Sequence, residues 1–107
     1  MKTVDIRDLV RFSDDEPRRR TLIEGERLWS EIICLQGAQG VGPIRDDGAD
    51  GVVVVLAGEV ATQVGKGRAR MKQWETAEVP AGSELTLRNA SDEPAVVLLV
   101  VAPPPAD

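Results

Sequence analysis

Short apolar runs that end at glycine or proline recur throughout residues 51–105. The runs at 51–56 and 95–102 are rich in valine, and β-branched residues favour strands. Glycine and proline at 65–67, 80–82 and 103–105 supply turns and a final stop, because proline cannot donate to a strand ladder. Eight or nine short strands with no long helix predict an all-β sandwich or barrel.

The first half of the chain divides into an arm, a hairpin and a loop. Residues 4–12 fit either a helical turn or a leading strand, and a polar loop follows as far as residue 20. Apolar runs at 21–24 and 28–36 flank a glycine turn and predict a hairpin. Residues 37–50 contain four of the ten glycines, which predicts a loop with at most a short extended piece.

Size and charge limit the classes of function. With 107 residues the chain has the size of one domain, and we expect an N-terminal arm over residues 1–19 and a single barrel over 20–105. The net charge is −5 with both signs interspersed, which argues against a nucleic acid or a membrane as partner. The chain has neither an apolar run of roughly 20 residues nor the apolar core of a signal peptide, so we expect a cytoplasmic protein.

Two stretches of the chain carry the spacing of a known pair of motifs. Pro80, Gly82 and Asn89 match G-x5-P-x-G-x2-H-x3-N, the second conserved motif of small cupins. Residues 44–60 are similar to the first cupin motif, G-x5-H-x-H-x(3,4)-E-x6-G, with Gly58 as its final glycine. The resemblance implies a cupin double-stranded β-helix, a jelly-roll barrel that is commonly a homodimer.

The positions that hold a metal in this family are replaced in the first motif. Cupins typically bind a divalent transition metal with three histidines and one carboxylate, and this chain has no histidine. One spacing of the motif places Ile44 and Asp46 at the two histidine positions, and the other places Arg45 and Asp47 there. With either spacing, Gly51 stands at the glutamate position.

The second motif is replaced in the same direction. Leu85 stands at its histidine position, and Trp74 replaces its leading glycine. Because side chains alternate along a strand, Val53 and Leu87 would extend the apolar lining that Leu85 begins. We therefore expect no metal or other cofactor, and a packed or narrow interior, with an apolar ligand pocket as the alternative.

Three carboxylates near the first motif raise the question of another metal. Asp46, Asp47 and Asp50 lie within five residues, and hard cations prefer oxygen ligands. Their spacing matches no calcium loop, so we interpret the segment as a solvated acidic loop. Asp46 and Asp47 remain the candidate ligands for an atypical metal.

A few further residues qualify as pocket or functional candidates. Trp29 and Trp74 are expected to pack in the core, with the lining of a ligand pocket as the alternative. Glu31 lies in an apolar run and is either on the solvent face or turned inward, opposite an arginine such as Arg45 or Arg88.

These observations leave two hypotheses for the function. The first is a metal-free cupin-like module, a homodimer that binds a small molecule or acts in regulation or structure. The alternative is an enzyme of the cupin superfamily, such as an isomerase or a dioxygenase, that uses carboxylates or an atypical metal site. Catalysis is restricted, because the chain has neither histidine nor tyrosine and Cys34 is expected to be a small buried hydrophobic residue.

Overall fold

The computed structural model describes residues 1–105, which form nine β-strands and one short 3-10 helix. The helix spans Ile6–Leu9 and begins at Asp5, whose side chain accepts a hydrogen bond from the Arg7 amide. No helix in the described part of the chain is long and apolar enough to cross a membrane. The strands are β1 (Arg18–Glu24), β2 (Trp29–Leu35), β3 (Gly40–Ile44), β4 (Asp50–Ala57), β5 (Glu59–Val64), β6 (Gly67–Lys72), β7 (Thr76–Val79), β8 (Leu85–Arg88) and β9 (Ala95–Ala102).

The strands form two antiparallel sheets that pack face to face. One sheet has five strands in the order β1-β2-β9-β4-β7, and the other has four in the order β3-β8-β5-β6. From β2 onward the chain passes repeatedly from one sheet to the other, which produces a double-stranded β-helix. The prediction of an all-β jelly-roll barrel with eight or nine strands is confirmed.

Alternating burial along the strands builds the core between the sheets. In β4, Val53 and Val55 are fully buried, whereas Val52 is 41% exposed. In β8, Leu85 and Leu87 are buried on either side of an exposed threonine. This alternation follows from the pleat, which points successive side chains to opposite faces of a sheet. The core cluster comprises Ile33, Leu35, Val53, Val55, Val60, Met71, Leu85, Leu87, Ala95, Val97 and Leu99.

The arm covers part of the outer face of the five-stranded sheet. Six of the seven residues of β2 are buried, which means that both of its faces are covered. Its outward residues Ile32 and Cys34 belong to a second apolar cluster, against which Ile6 and Phe12 of the arm pack. The boundary expected between residues 19 and 20 falls inside β1, which begins at Arg18.

Gly58, the final glycine of the first motif, joins β4 to β5 at a close backbone contact. Its φ is +79°, in the left-handed region that favours glycine. A Cβ at this position would lie 2.5 Å from the carbonyl oxygen of Pro94 and 2.9 Å from Cα of Ala95. The motif therefore needs glycine here for backbone geometry alone.

Asn89, the last residue of the second motif, is fully buried and links β2 to the turn between β8 and β9. Its Nδ2 donates to the carbonyl oxygens of Leu35 at 3.1 Å and Glu93 at 2.7 Å. Its Oδ1 accepts from the backbone amide of Ser91 at 3.1 Å and from the hydroxyl of Ser91 at 2.9 Å. A buried amide that is satisfied on both ends fixes the turn, since each unpaired buried group would destabilise the fold.

The loop expected over residues 37–50 contains a strand of the barrel. β3 pairs with β8 and forms one edge of the four-stranded sheet. A Cβ at Gly40 would lie 2.7 Å from the carbonyl oxygen of Leu87. The glycines in this segment therefore serve a close approach of two backbones, which the composition presented as a loop.

The expectation that Trp74 packs in the core is wrong. Its side chain is 74% exposed, and the residue lies in the turn between β6 and β7 with φ +76°. The turn is held by the Trp74 amide, which donates to the carbonyl oxygen of Val55 at 2.8 Å. This turn geometry directs the indole away from the barrel, whatever the apolarity of the ring.

Candidate functional site

A small cavity lies where β3 and β7 end and β4 and β8 begin. Its volume is about 30 Å³, which is close to the share of one water molecule in the liquid. Among the residues that line it, Asp46 carries the only ionisable side chain. The lining residues are Ile44, Asp46, Ala49, Gly51, Val79, Pro80, Ser83, Leu85, Leu99 and Val101.

Four of the residues predicted for the site line this cavity together, namely Ile44, Asp46, Gly51 and Leu85. Ile44 ends β3 directly opposite Leu85, which begins β8. Gly51 lies in β4 between its partners β7 and β9, and Asp46 follows β3 in a turn. The pairing of the strands therefore brings residues from both motifs to the same end of the barrel.

The structure separates Asp46 from Asp47. Asp46 lines the cavity, its Oδ1 accepts from the Gly48 amide at 2.9 Å, and its backbone oxygen accepts from the Gly82 amide at 2.9 Å. Asp47 is 74% exposed and accepts from Nε of Arg45 at 2.8 Å, a contact that raises the pKa of Arg45. Of the two motif spacings considered, the one through Ile44 and Asp46 is the one that reaches the cavity.

The other predicted pocket residues lie outside the cavity wall. Val53 and Leu87 are fully buried in the core cluster. Trp29 is half-buried at the start of β2, opposite Val101. Trp74 is exposed in its turn and does not approach the cavity.

The residues around the cavity do not fit the metal centre that the resemblance implies. Two aliphatic side chains and a glycine occupy three of the four ligand positions, and one carboxylate remains. Within residues 1–105, no group of three or more histidine, cysteine, aspartate or glutamate side chains is placed to hold a metal ion. Imidazole is the usual ligand for such metals, and this chain cannot supply one.

The family follows from the match of the sequence to a known domain. The sequence profile of the cupin domain matches residues 31–101, which contain both motifs and the whole cavity lining. The chain belongs to the cupin family. A search of curated proteins found no match to this cupin.

Solved structures similar to this cupin cover almost its whole length. TT1209 from Thermus thermophilus has a TM-score of 0.93 and 30% identity, over 98% of this chain and 100% of that chain. A conserved protein with a double-stranded β-helix domain from Klebsiella pneumoniae has a TM-score of 0.88 and 22% identity, over 95% and 84%. An RmlC-like cupin from Desulfovibrio desulfuricans has a TM-score of 0.83 and 22% identity, over 97% and 98%. The last two similarities show the fold alone.

Glu31 forms a buried ion pair with an arginine that the sequence did not suggest. The side chain of Glu31 is 6% exposed, and its Oε1 accepts from Arg19 Nη2 at 2.6 Å and from Arg19 Nε at 2.9 Å. The expected partners were Arg45 and Arg88, and both lie elsewhere on the barrel. Arg19 reaches Glu31 because β1 pairs with β2 in a register that brings the two side chains to the inner face.

Cys34 has the environment of a structural thiol. It lies under the arm, 1% exposed, in the cluster with Ile32 and Val96. Burial raises the pKa of the thiol, and a hydrogen bond with the backbone of Arg11 lowers it by a smaller amount. A raised pKa reduces the thiolate fraction, which is the form that acts as a nucleophile.

The largest groove on the described part of this cupin is on its outside. A groove of about 500 Å³ crosses the outer face of the four-stranded sheet, and three arginines line it. The sequence contained a usable indication, since Arg68 and Arg70 alternate along β6 and therefore share a face. The motif comparison drew attention to the inside of the barrel and missed this face.

Proposed function

We propose that this cupin is a binding or structural module that works without a metal centre in its barrel. The observation that carries the proposal is the cavity itself, whose volume is about 30 Å³ and whose wall contains Ile44, Gly51 and Leu85 at ligand positions. Small-molecule sites usually measure roughly 300 to 1,000 Å³. A cavity of this size holds a water molecule and no metabolite, so recognition has to take place on the outer surface.

Metal analysis tests the proposal directly. Protein purified without added metal is dialysed and analysed for transition metals, and its melting temperature is measured with nickel, zinc and manganese salts. We expect less than about 0.1 metal per chain and no rise in melting temperature, because one carboxylate is too weak a donor set. A metal retained at about one per chain would overturn the proposal.

The alternative function, an enzyme based on carboxylates or an atypical metal, is supported by one feature. Asp46 and Ser83 both line the cavity, so one acid and one hydroxyl face the same space. Asp46→Asn keeps the oxygen that accepts from the Gly48 amide and removes the charge, and Asp47→Asn is the matched control outside the cavity. An activity or a bound metal that is lost in Asp46→Asn and kept in Asp47→Asn would favour the enzyme.

The module is further proposed to form a homodimer through the outer face of the five-stranded sheet. Beyond the arm, Val52 is 41% exposed, and its cross-strand partner Val100 and neighbour Val54 are only partly buried. This strip continues to Leu98 of β9, opposite Val54. A second copy would cover the valines, and a two-fold axis allows the same strip to serve on both subunits.

Light scattering at micromolar concentration tests the dimer. We expect twice the monomer mass for the native chain and the monomer mass for Val52→Lys, because the lysine would place a charge at the centre of the apolar strip. Ala90→Lys adds the same charge at an exposed turn away from the strip and should stay dimeric. A monomeric native chain would contradict the dimer and leave the metal-free barrel as proposed.

A further inference from the structure

Three arginines define one region on the outer face of the four-stranded sheet. β5, β6 and β8 direct Ala61, Gln63, Arg68, Arg70, Thr86 and Arg88 to this side, and we call these six residues the arginine face. All three arginines and the threonine are exposed, whereas the residues that alternate with them, such as Met71 and Leu87, are buried.

The strand register arranges these side chains in two rows. In the first row, Ala61 of β5 lies between Arg70 of β6 and Arg88 of β8. In the second row, Gln63 lies between Arg68 and Thr86. The methyl group of Ala61 is the lowest point of the first row, which creates the groove of about 500 Å³ between the arginines.

The two arginines of the first row are close enough to hold one ligand. Neighbouring strands lie about 4.8 Å apart, so the Cα atoms of Arg70 and Arg88 on either side of β5 are about 10 Å apart. Arginine side chains extend far enough for both guanidinium groups to turn toward a molecule above Ala61. Guanidinium groups bind carboxylate and phosphate in a bidentate geometry.

The charges of the arginine face are largely uncompensated. In residues 1–105 no ion pair joins Arg68 or Arg88 to a carboxylate, and Arg70 has only a long contact of 3.6 Å with Glu59. The chain as a whole has a net charge of −5, so this concentration of positive charge runs against the composition. A local positive region on an acidic protein attracts anions selectively.

Protection of a sheet edge does not account for the arrangement. Charged residues on an edge strand prevent pairing with another chain, and β6 is an edge strand of its sheet. Arg88, however, lies on β8, which is paired on both sides by β3 and β5. Edge protection therefore explains at most Arg68 and Arg70, and the groove between Arg70 and Arg88 needs another reason.

We propose that the arginine face binds a small molecule with two or more phosphate or carboxylate groups, held between Arg70 and Arg88 above Ala61. Its volume falls within the usual range for small-molecule sites, which the barrel cavity does not reach. The proposal deepens the proposed function by giving the module a ligand class.

Calorimetric titration with two probes tests the proposal and distinguishes its two chemistries. Pyrophosphate supplies the phosphate groups and citrate the carboxylates, and both are titrated at low and at high salt. We expect saturable binding of at least one probe that weakens as salt rises, because the attraction between exposed charges is screened. The absence of saturable binding by both probes would overturn the proposal, as would binding confined to an acidic peptide.

Matched arginine variants locate the binding. Arg70→Gln and Arg88→Gln are each expected to weaken the bound probe about tenfold, since each removes one charged contact. Arg20→Gln on β1 makes the same change of charge at an exposed position of the other sheet and should alter affinity less than about twofold. Equal losses in all three variants would show attraction by net charge and overturn the proposal.

A spectroscopic map separates this inference from the metal-free barrel. Amide shifts on addition of the probe should centre on Ala61, Gln63 and Thr86, and those around Leu85 and Gly51 should stay unchanged. Shifts centred on the cavity would overturn the arginine face. The metal content of the same sample is measured independently, so either proposal can fail while the other stands.

Discussion

The two cupin motifs of this chain contain residues of two kinds, turn residues that match the family and ligand positions that do not. Gly58 and Asn89 match, and each performs a backbone task with neighbours at 2.5 to 3.1 Å. Ile44 and Leu85 do not match, and each contributes only volume and apolar surface to the cavity wall. The difference shows that the fold and the metal chemistry of these motifs reside in separate residues, and that the second can be absent while the first remains.

The largest effect is expected at Gly58. Gly58→Ala combines a left-handed backbone with a Cβ that overlaps the Pro94 carbonyl oxygen, so we expect the free energy of unfolding to fall by about 4 kcal/mol. Gly65→Ala is the matched control, because Gly65 also has a positive φ, +58°, but no atom lies within 4 Å of its Cβ position. That variant should lose about 1 kcal/mol. Urea unfolding measures both, and equal losses would mean that the close contact at Gly58 is unimportant.

Leu85→His tests what a buried ligand position tolerates. Leu85 is 1% exposed, so an imidazole there has few polar partners, and we expect a loss of about 3 kcal/mol at pH 8. Leu85→Met conserves volume and should lose less than about 1.5 kcal/mol. A loss as small in the histidine variant would show that the site is still polar enough for a ligand.

The same variant should acquire a pH dependence that the native chain lacks, because the native sequence has no histidine. Burial lowers the pKa of the imidazole below its unfolded value near 6.5. The unfolded state then binds more protons than the folded state as pH falls, so the variant should lose about a further 1 kcal/mol between roughly pH 6.5 and 5.5, relative to the native chain. A difference that stays constant over this range would indicate a solvated imidazole.

Asn89→Ala should produce a smaller but clear effect. The substitution leaves two carbonyl oxygens and one amide without their side-chain partner in a buried turn, and we expect a loss of about 2 kcal/mol. Ser91→Ala removes only the hydroxyl contacts at the same turn and should lose less than half as much. If the two variants were equally stable, the amide of Asn89 would not be what fixes the turn.

The sequence predicts the fold better than the site, for a physical reason. Strand positions depend on apolar alternation and turn residues, both of which are local, and so eight or nine strands and the positions of Gly58 and Asn89 could be predicted. The partner of Glu31 could not, because the β1–β2 register that brings Arg19 to it is a tertiary property. β3 was obscured because its glycines resemble a loop while they permit a close approach to β8.

The candidate site was predictable only where the family motifs supplied positions. Ile44, Asp46, Gly51 and Leu85 meet at one cavity because motif spacing encodes which strand ends come together. Trp74 was assigned to the interior from its apolar character, whereas its turn points it outward. The arginine face required knowledge of which strands are neighbours, since Arg88 is far from Arg70 in sequence and separated from it by one strand in the sheet.

The smallest effect is expected at Gly51, the glycine at a ligand position. A Cβ there would lie 3.2 Å from the Val100 carbonyl oxygen and 3.6 Å from Cβ of Val79, and the cavity of about 30 Å³ adjoins it. Gly51→Ala should therefore change the free energy of unfolding by less than about 0.5 kcal/mol, because reduced freedom of the unfolded chain offsets the tight contact. The comparison with Gly58→Ala is direct, since both replace a motif glycine by the same residue. Losses of equal size at the two positions would show that Gly51 also performs a backbone task, and the separation between turn residues and ligand positions would then no longer hold.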